Sequence, residues 1–431
     1  LKLKPALAES WDAVDDTTWR FNLVEGAAFS NGEPLDAEAV KWNIERVQDP
    51  EVGARIAGWF KAITAVNVVD ATTVELITEA PYPALADQLS MFFLLPPKWA
   101  SENNPAADSV SGGPYMITEN VPGDHISLTV NPDYWGETPA VENVVFRTIP
   151  ESGSQIAAML ADEVDWIAGM PTTELQRITD SGIAKGDAID STRSMLVKLN
   201  HEKPPVDDVK FRQAINYAID KEGITQAVFD GYASVSNCQI MMPAYFGYNP
   251  DLKPYPYDPE KARDLLAESG LDLSQEIELD VPVGRYLQAE EVGQIVAAML
   301  TDVGLNIKIT EMDFGSFMAK QVKVHDMAQL AVLGLAWPTI DADGILTMFE
   351  PGNVYDYWGN EEFGALLAEG RSSTDPAKRE AIYMEATKLM CDEAGSLFLY
   401  QQPLTYGLSD DFTWAARGDD WIRAMDMTPA K

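Results

Sequence analysis

The stretch that most restricts the fold is the strand–helix–strand run between Glu276 and Thr310. Glu276–Val283 reads as a strand. Val292, Ile295, Val296, Met299, Leu300 and Val303 then form a helical stripe, and after Gly304 the chain returns as the strand Leu305–Thr310. Two strands joined by such a helix lie parallel, with a right-handed crossover. One more helix, expected over Phe314–Val324, leads to Ala331–Leu335, an uncharged apolar run that predicts a strand of the same sheet buried on both faces. That run breaks at Trp337-Pro338 into a loop holding Asp341, Asp343 and Gly344. Sheets of this kind hold ligands at their carboxyl edge, so this loop is the first candidate site.

The flanking sequence extends the α/β pattern. Trp19-Arg20-Phe21-Asn22-Leu23 alternates as a half-buried strand does, and Asp36 caps a helix striped by Ala37, Val40, Ile44 and Val47. Thr72–Thr78 and Val144–Ile149 are further strands, and Ser154–Ala161 a helix. Polar, small residues over Ser101–Gly113 mark a connection. From Asp208 the stripe Phe211, Ala214, Ile215, Ala218 and Ile219 is helical. Asp258-Pro259 and Asp375-Pro376 open two more helices, and Leu397–Tyr400 is a last strand. The division expected is one α/β block over 1–200, a second over 201–400, and a tail, 401–431, too short to be a domain and returning to the first block. The chain then crosses between blocks twice, near Asn200 and Tyr400, which makes a hinge and a cleft.

Composition narrows the function. With 68 acidic against 31 basic side chains the net charge is −37. That argues against nucleic acid, whose binding needs Lys and Arg, and for a soluble monomer. No apolar run approaches the ~20 residues that span a bilayer. The two cysteines, Cys238 and Cys391, are too few for a disulfide framework or a zinc site; they are expected as two unrelated buried thiols, with one bridge in an oxidising compartment as the alternative. His125, His201 and His325 are far apart, and neither a H-E-x-x-H, a G-x-S-x-G nor a phosphate-loop motif occurs. Asp341/Asp343 is the best-placed carboxylate pair for a hydrolase, but residues two apart in a loop need not face each other. No enzyme and no cofactor is expected.

Several ordered motifs carry a resemblance. Pro5-Ala6-Leu7-Ala8-Glu9-Ser10-Trp11 is followed by Trp19–Leu23 and then Phe29-Ser30-Asn31-Gly32-Glu33-Pro34-Leu35-Asp36. Gly112-Gly113-Pro114-Tyr115 precedes Asn131-Pro132-Asp133-Tyr134-Trp135-Gly136, and Asp208–Asp220 and Tyr257–Leu266 follow. Together they resemble the extracytoplasmic solute-binding proteins of ABC importers, in the peptide/nickel/opine-binding family (family 5). The resemblance implies an α/β, two-lobed periplasmic-binding-protein (Venus-flytrap) fold of type II, with an extra subdomain in the first lobe (1–108, beside a sheet region at 109–200). It implies a periplasmic or lipid-anchored protein that binds a small solute and meets a membrane permease and its ATPase. In such proteins the first motif lies well inside the mature chain, so an N-terminal segment carrying the signal or lipoprotein cysteine is expected ahead of Leu1.

Peptide-binding members carry an Asp three residues after the strand-end Trp, where it holds the peptide's ammonium; here that position is Ile340. A cationic amine against Ile lacks a counter-ion, which costs several kcal/mol. The expectation is an oligosaccharide, opine-like compound or modified peptide, with an unmodified di- or oligopeptide as the alternative. The expected ligand-binding residues are Trp337 as a stacking wall, Asp341 and Asp343 as acceptors, and Arg285 with Tyr286 at a strand's carboxyl end for a carboxylate. Tyr357 in an aromatic cluster, Tyr245 at the rim of the second lobe, and Arg193 and Gln401 beside the crossings complete the set.

Overall fold

A computed structural model describes residues 2–54, 56–105 and 107–430. Strands β1 (Ala8–Asp15), β2 (Thr18–Leu23), β3 (Ile63–Asp70) and β4 (Thr73–Thr78) form an antiparallel sheet in the order β1-β2-β4-β3. Alternation puts Phe21, Leu23, Val74 and Leu76 on one face, where they bury against Ile44 and Val47 of helix Ala37–Gln48. Asp36 caps that helix by accepting from the Ala39 amide at 3.0 Å. A second antiparallel sheet joins β5 (Tyr115–Val121), β6 (His125–Val130) and β7 (Asn143–Arg147).

The largest sheet has seven strands. It adds β8 (Trp166–Ala168), β9 (Ala184–Leu199), β10 (Ser234–Val235), β11 (Glu276–Val283), β12 (Asn306–Asp313), β13 (Leu330–Leu335) and β14 (Ser396–Ser409). Its order is β10-β14-β9-β13-β11-β12, with β8 on β14. The expected crossover is present: β11 and β12 pair in parallel around helix Ala289–Asp302. β13 joins the same sheet, parallel to β11, with all six residues buried. The helix expected over Phe314–Val324 is α-helical only to Met318 and widens into a π-turn over Ala319–Lys323. Asp208, Asp258 and Asp375 cap their helices as the sequence implies.

β9 and β14 connect the two lobes. The first part of β9 pairs with the last part of β14, from Ala184 opposite Ser409 to Asp190 opposite Pro403. Its last part, Ser194–Leu199, lies between β13 and the first part of β14. The register breaks between Phe398 and Tyr400 and again between Gln401 and Pro403. There the Ser191 hydroxyl donates to the Gln402 carbonyl at 2.6 Å, and the Gln401 amide donates to the Ser191 carbonyl. Where the sequence suggested a strand ending at Tyr400, β14 runs on to Ser409, because bulges absorb Pro403 instead of ending the ladder.

The two cysteines are not separate thiols. Cys238 and Cys391 form a disulfide, their Cα atoms 5.4 Å apart across 153 residues of sequence. It ties the segment after β10 to the C-terminal end of helix Pro376–Asp392. The cysteine count allowed one bridge; the fold is what brings the pair together. Bridges of this kind persist in oxidising compartments.

Candidate functional site

A chamber of about 920 Å³ separates the N-terminal subdomain from the second lobe. Trp59, Lys61, Glu79, Tyr82 and Gln88 line it from one side; Trp337, Asp343, Glu350, Asn353, Tyr355 and Arg371 line it from the other. Trp59 and Trp337 meet across it edge to face, with centroids 5.6 Å apart. Its size lies at the upper end of ordinary small-ligand sites, ~300–1,000 Å³.

Trp337 leaves the end of β13 and is fixed by Tyr245. Its backbone amide donates to the Tyr245 hydroxyl at 2.8 Å, and that hydroxyl donates to the Trp337 carbonyl at 3.1 Å. Burial pushes the Tyr245 phenol up to about 12, so it stays protonated and keeps its donor. Gly344 supplies the other support. A Cβ there would lie 2.0 Å from Cδ1 and 2.1 Å from Nε1 of the indole, so the ring rests directly on the glycine backbone. Trp337 Nε1 and Gln88 Nε2 are both buried without an acceptor among the described residues.

Asp341 and Asp343 are held by arginines. Asp341 caps helix Ala342–Leu346, accepting from the Asp343 amide at 2.9 Å, and forms a two-pronged pair with Arg379 at 2.7 and 2.6 Å. Asp343 accepts from Arg371 Nε at 2.8 Å, and Arg371 also grips Glu350 at 2.8 Å. Both carboxylates are engaged by arginines and shape the loop, and Asp343 also lines the chamber. Ile340 sits at φ 54°, a left-handed conformation rare for a β-branched residue, and its carbonyl accepts from the Phe246 amide at 2.9 Å.

The other predicted residues spread out. Tyr357 is fully buried in the core, stacked on His325 at 4.3 Å, with its hydroxyl donating to the Gln321 carbonyl at 2.7 Å, while its neighbour Tyr355 lines the chamber. Tyr286 is buried beside Gly334. Arg285 is exposed, its guanidinium over Tyr286 and Phe314 at 5.2 and 5.3 Å, and lies outside the chamber lining. Arg193 is paired with Asp420 at 2.6 Å, and Gln401 is tied to Ser191 within the hinge strands. The lobe-one wall (Trp59, Tyr82, Gln88) was not anticipated. Its only local trace is the turn Ala80-Pro81-Tyr82-Pro83, which says nothing about what faces it.

A second pocket of about 300 Å³ lies beside the first. Neighbouring residues line the two: Tyr82 and Pro83, Gln88 and Asp87, Ser372 and Ser373. Among the described residues no group of three or more His, Cys, Asp or Glu is placed to hold a metal ion. No described helix is long and apolar enough to cross a membrane.

Two lobes hinged on paired strands, with a chamber lined from both sides, define a binding protein that closes on a solute. The family model of bacterial extracellular solute-binding proteins, family 5, matches residues 2–356, and the chain belongs to that family. It is 28% identical to the dipeptide-binding protein of Escherichia coli (strain K12), an alignment covering 92% of this chain and 80% of that protein. Its fold matches that of NikA from Brucella suis in complex with Fe(III)-EDTA, at TM-score 0.88 and 25% identity, over 99% of this chain and 91% of the other. It also matches DppA from Helicobacter pylori in complex with the peptide STSA, at TM-score 0.88 and 22% identity, over 100% and 90%. The protein is an extracytoplasmic solute-binding protein that captures a small solute between its lobes for an ABC importer.

Proposed function

We propose that the solute occupies the 920 Å³ chamber, flanked by the indoles of Trp337 and Trp59 and the phenols of Tyr82 and Tyr355. The observation that carries this reading is that the chamber is lined from both lobes. A solute filling it contacts surfaces that separate when the lobes open, so it binds the closed form more tightly and shifts the population toward it. Tyr245, Asp341 and Asp343 act indirectly, by holding Trp337 and its loop. Arg193 and Gln401 belong to the hinge, and Arg285 would reach a solute only outside the chamber described.

Aromatic walls with polar side chains between them suit a peptide-sized polar solute with a flat apolar face: an oligosaccharide, an opine-like compound, or a free or modified peptide. The protein acts as a monomer in the periplasm or tethered at the cell surface, and its carboxylate pairs, engaged by arginines, do no hydrolysis. A thermal-shift screen over peptides, saccharides, opines and metal chelates tests this, since a ligand raises Tm by mass action. Stabilisation that disappears in Trp337→Ala, with no turnover of the solute, is the expected result. Turnover of a glycoside or peptide without stabilisation would overturn it.

A further inference from the structure

The 300 Å³ pocket is closed from lobe one by Pro83 and Asp87 and from lobe two by Phe246, Ile340, Asp341 and Arg379. Asp341 and Arg379 cancel each other in their two-pronged pair. Asp87 makes no ion pair among the described residues and its carboxylate meets only its own backbone amide, so the pocket carries one carboxylate without a paired cation, beside the apolar faces of Pro83, Phe246, Ile340 and Pro376 and the hydroxyls of Ser373 and Thr374. An unpaired carboxylate drawn out of water beside a second acid is unfavourable until a cation joins it. We infer that Asp87 is the counter-ion for a cationic group of the solute, an amine seated in this pocket against Ile340. This inference rests on the reading that the solute is held between the lobes.

Two features support it. Asp87 and Gln88 are consecutive on the short helix Leu85–Leu89, so one turn of lobe one lines both the small pocket and the large chamber. Burial, and then the charge of Asp341, push the Asp87 carboxyl up to about 6 despite the opposing pull of Arg379. Asp341 and Arg379 are the charged groups facing it, so the closed lobes hold a carboxylate that a cation would relieve. Closure then depends on the charge of what is enclosed. A solute with an amine offsets the desolvation of Asp87, and one without leaves it unbalanced.

The test is a binding titration of the full chain with trialanine, glucosamine and spermidine, each against its N-acetylated form, with cellotriose as a neutral probe. Wild type should bind at least one amine at least tenfold more tightly than its acetylated form. Asp87→Asn should lose the preference, the acetylated probe binding at least as tightly as it does to wild type, with unliganded Tm unchanged. A preference that survives in Asp87→Asn, or a wild type that binds no amine-bearing probe, would overturn the inference while leaving the chamber reading to the Trp337→Ala result. Probes bound equally by wild type, Asp87→Asn and Trp337→Ala would instead overturn the chamber reading.

Discussion

Gly344→Ala tests whether the indole of Trp337 is held as a wall of the chamber. The added methyl would stand 2.0 Å from Cδ1 and 2.1 Å from Nε1 of the ring, and the nearest of these atoms must retreat by more than about 1 Å to reach ordinary contact. Gly344 lies in helix Ala342–Leu346 and has no positive φ, so the backbone accepts Ala, which gains about 1 kcal/mol of helix propensity. Against that stand about 1–3 kcal/mol of overpacking and about 0.5–1.5 kcal/mol for the lost edge contact with Trp59. Global stability should therefore fall by about 0.5–3.5 kcal/mol, with an intact fold by circular dichroism. Solute affinity should fall about 10- to 100-fold, since each 1.4 kcal/mol of lost contact is a factor of ten. Calorimetric titration reads the affinity, and the change in tryptophan emission on binding reads the indole. Unchanged affinity together with an unchanged emission response would refute the wall.

Three further outcomes are expected. Arg379→Met leaves the buried Asp341 carboxylate unpaired and should cost about 3–5 kcal/mol in urea unfolding, while the double variant Asp341→Asn/Arg379→Met should recover part of that loss. Cys238→Ser/Cys391→Ser should lower stability by about 2–5 kcal/mol without changing solute affinity, because the bridge closes a long loop of lobe two away from both chambers; equal unfolding midpoints with and without reductant would contradict this. Lowering the pH should close the ligand-free protein. The Asp87 carboxyl titrates near 6 with the lobes together and falls toward ~3.9 when solvent returns on opening, so the closed form binds more protons between those values. The closed-to-open ratio should rise at least about tenfold from pH 7 to pH 4.5, seen as a smaller radius of gyration in solution scattering, and stay flat in Asp87→Asn.

The features legible in the sequence are those written in local periodicity and capping chemistry. Asp36, Asp208, Asp258 and Asp375 cap helices because each stands just before a helical stripe, and the uncharged run of β13 has to be buried on both faces. Trp337 was legible for the same reason, as the aromatic that ends that strand. The fate of the loop acids was not. The partners of Asp343 and Asp341 are arginines 28 and 38 residues further along, on helices whose faces do not announce a buried charge. The lobe-one surface formed by Trp59, Tyr82 and Asp87 acquires its meaning only from what the second lobe presents to it. The continuation of β14 past Tyr400 was hidden by Gln401, Gln402 and Pro403, which read as a strand ending and stand instead at bulges.

Those two long strands also bear on how the protein comes apart. Each contributes hydrogen bonds to both lobes, so neither lobe owns a complete sheet. Excising residues 200–395 would strip β13 of its neighbour β9 and leave a long unpaired edge. The halves of the chain should melt in one calorimetric transition, and a co-expressed pair of fragments cut near the hinge should associate before either is folded.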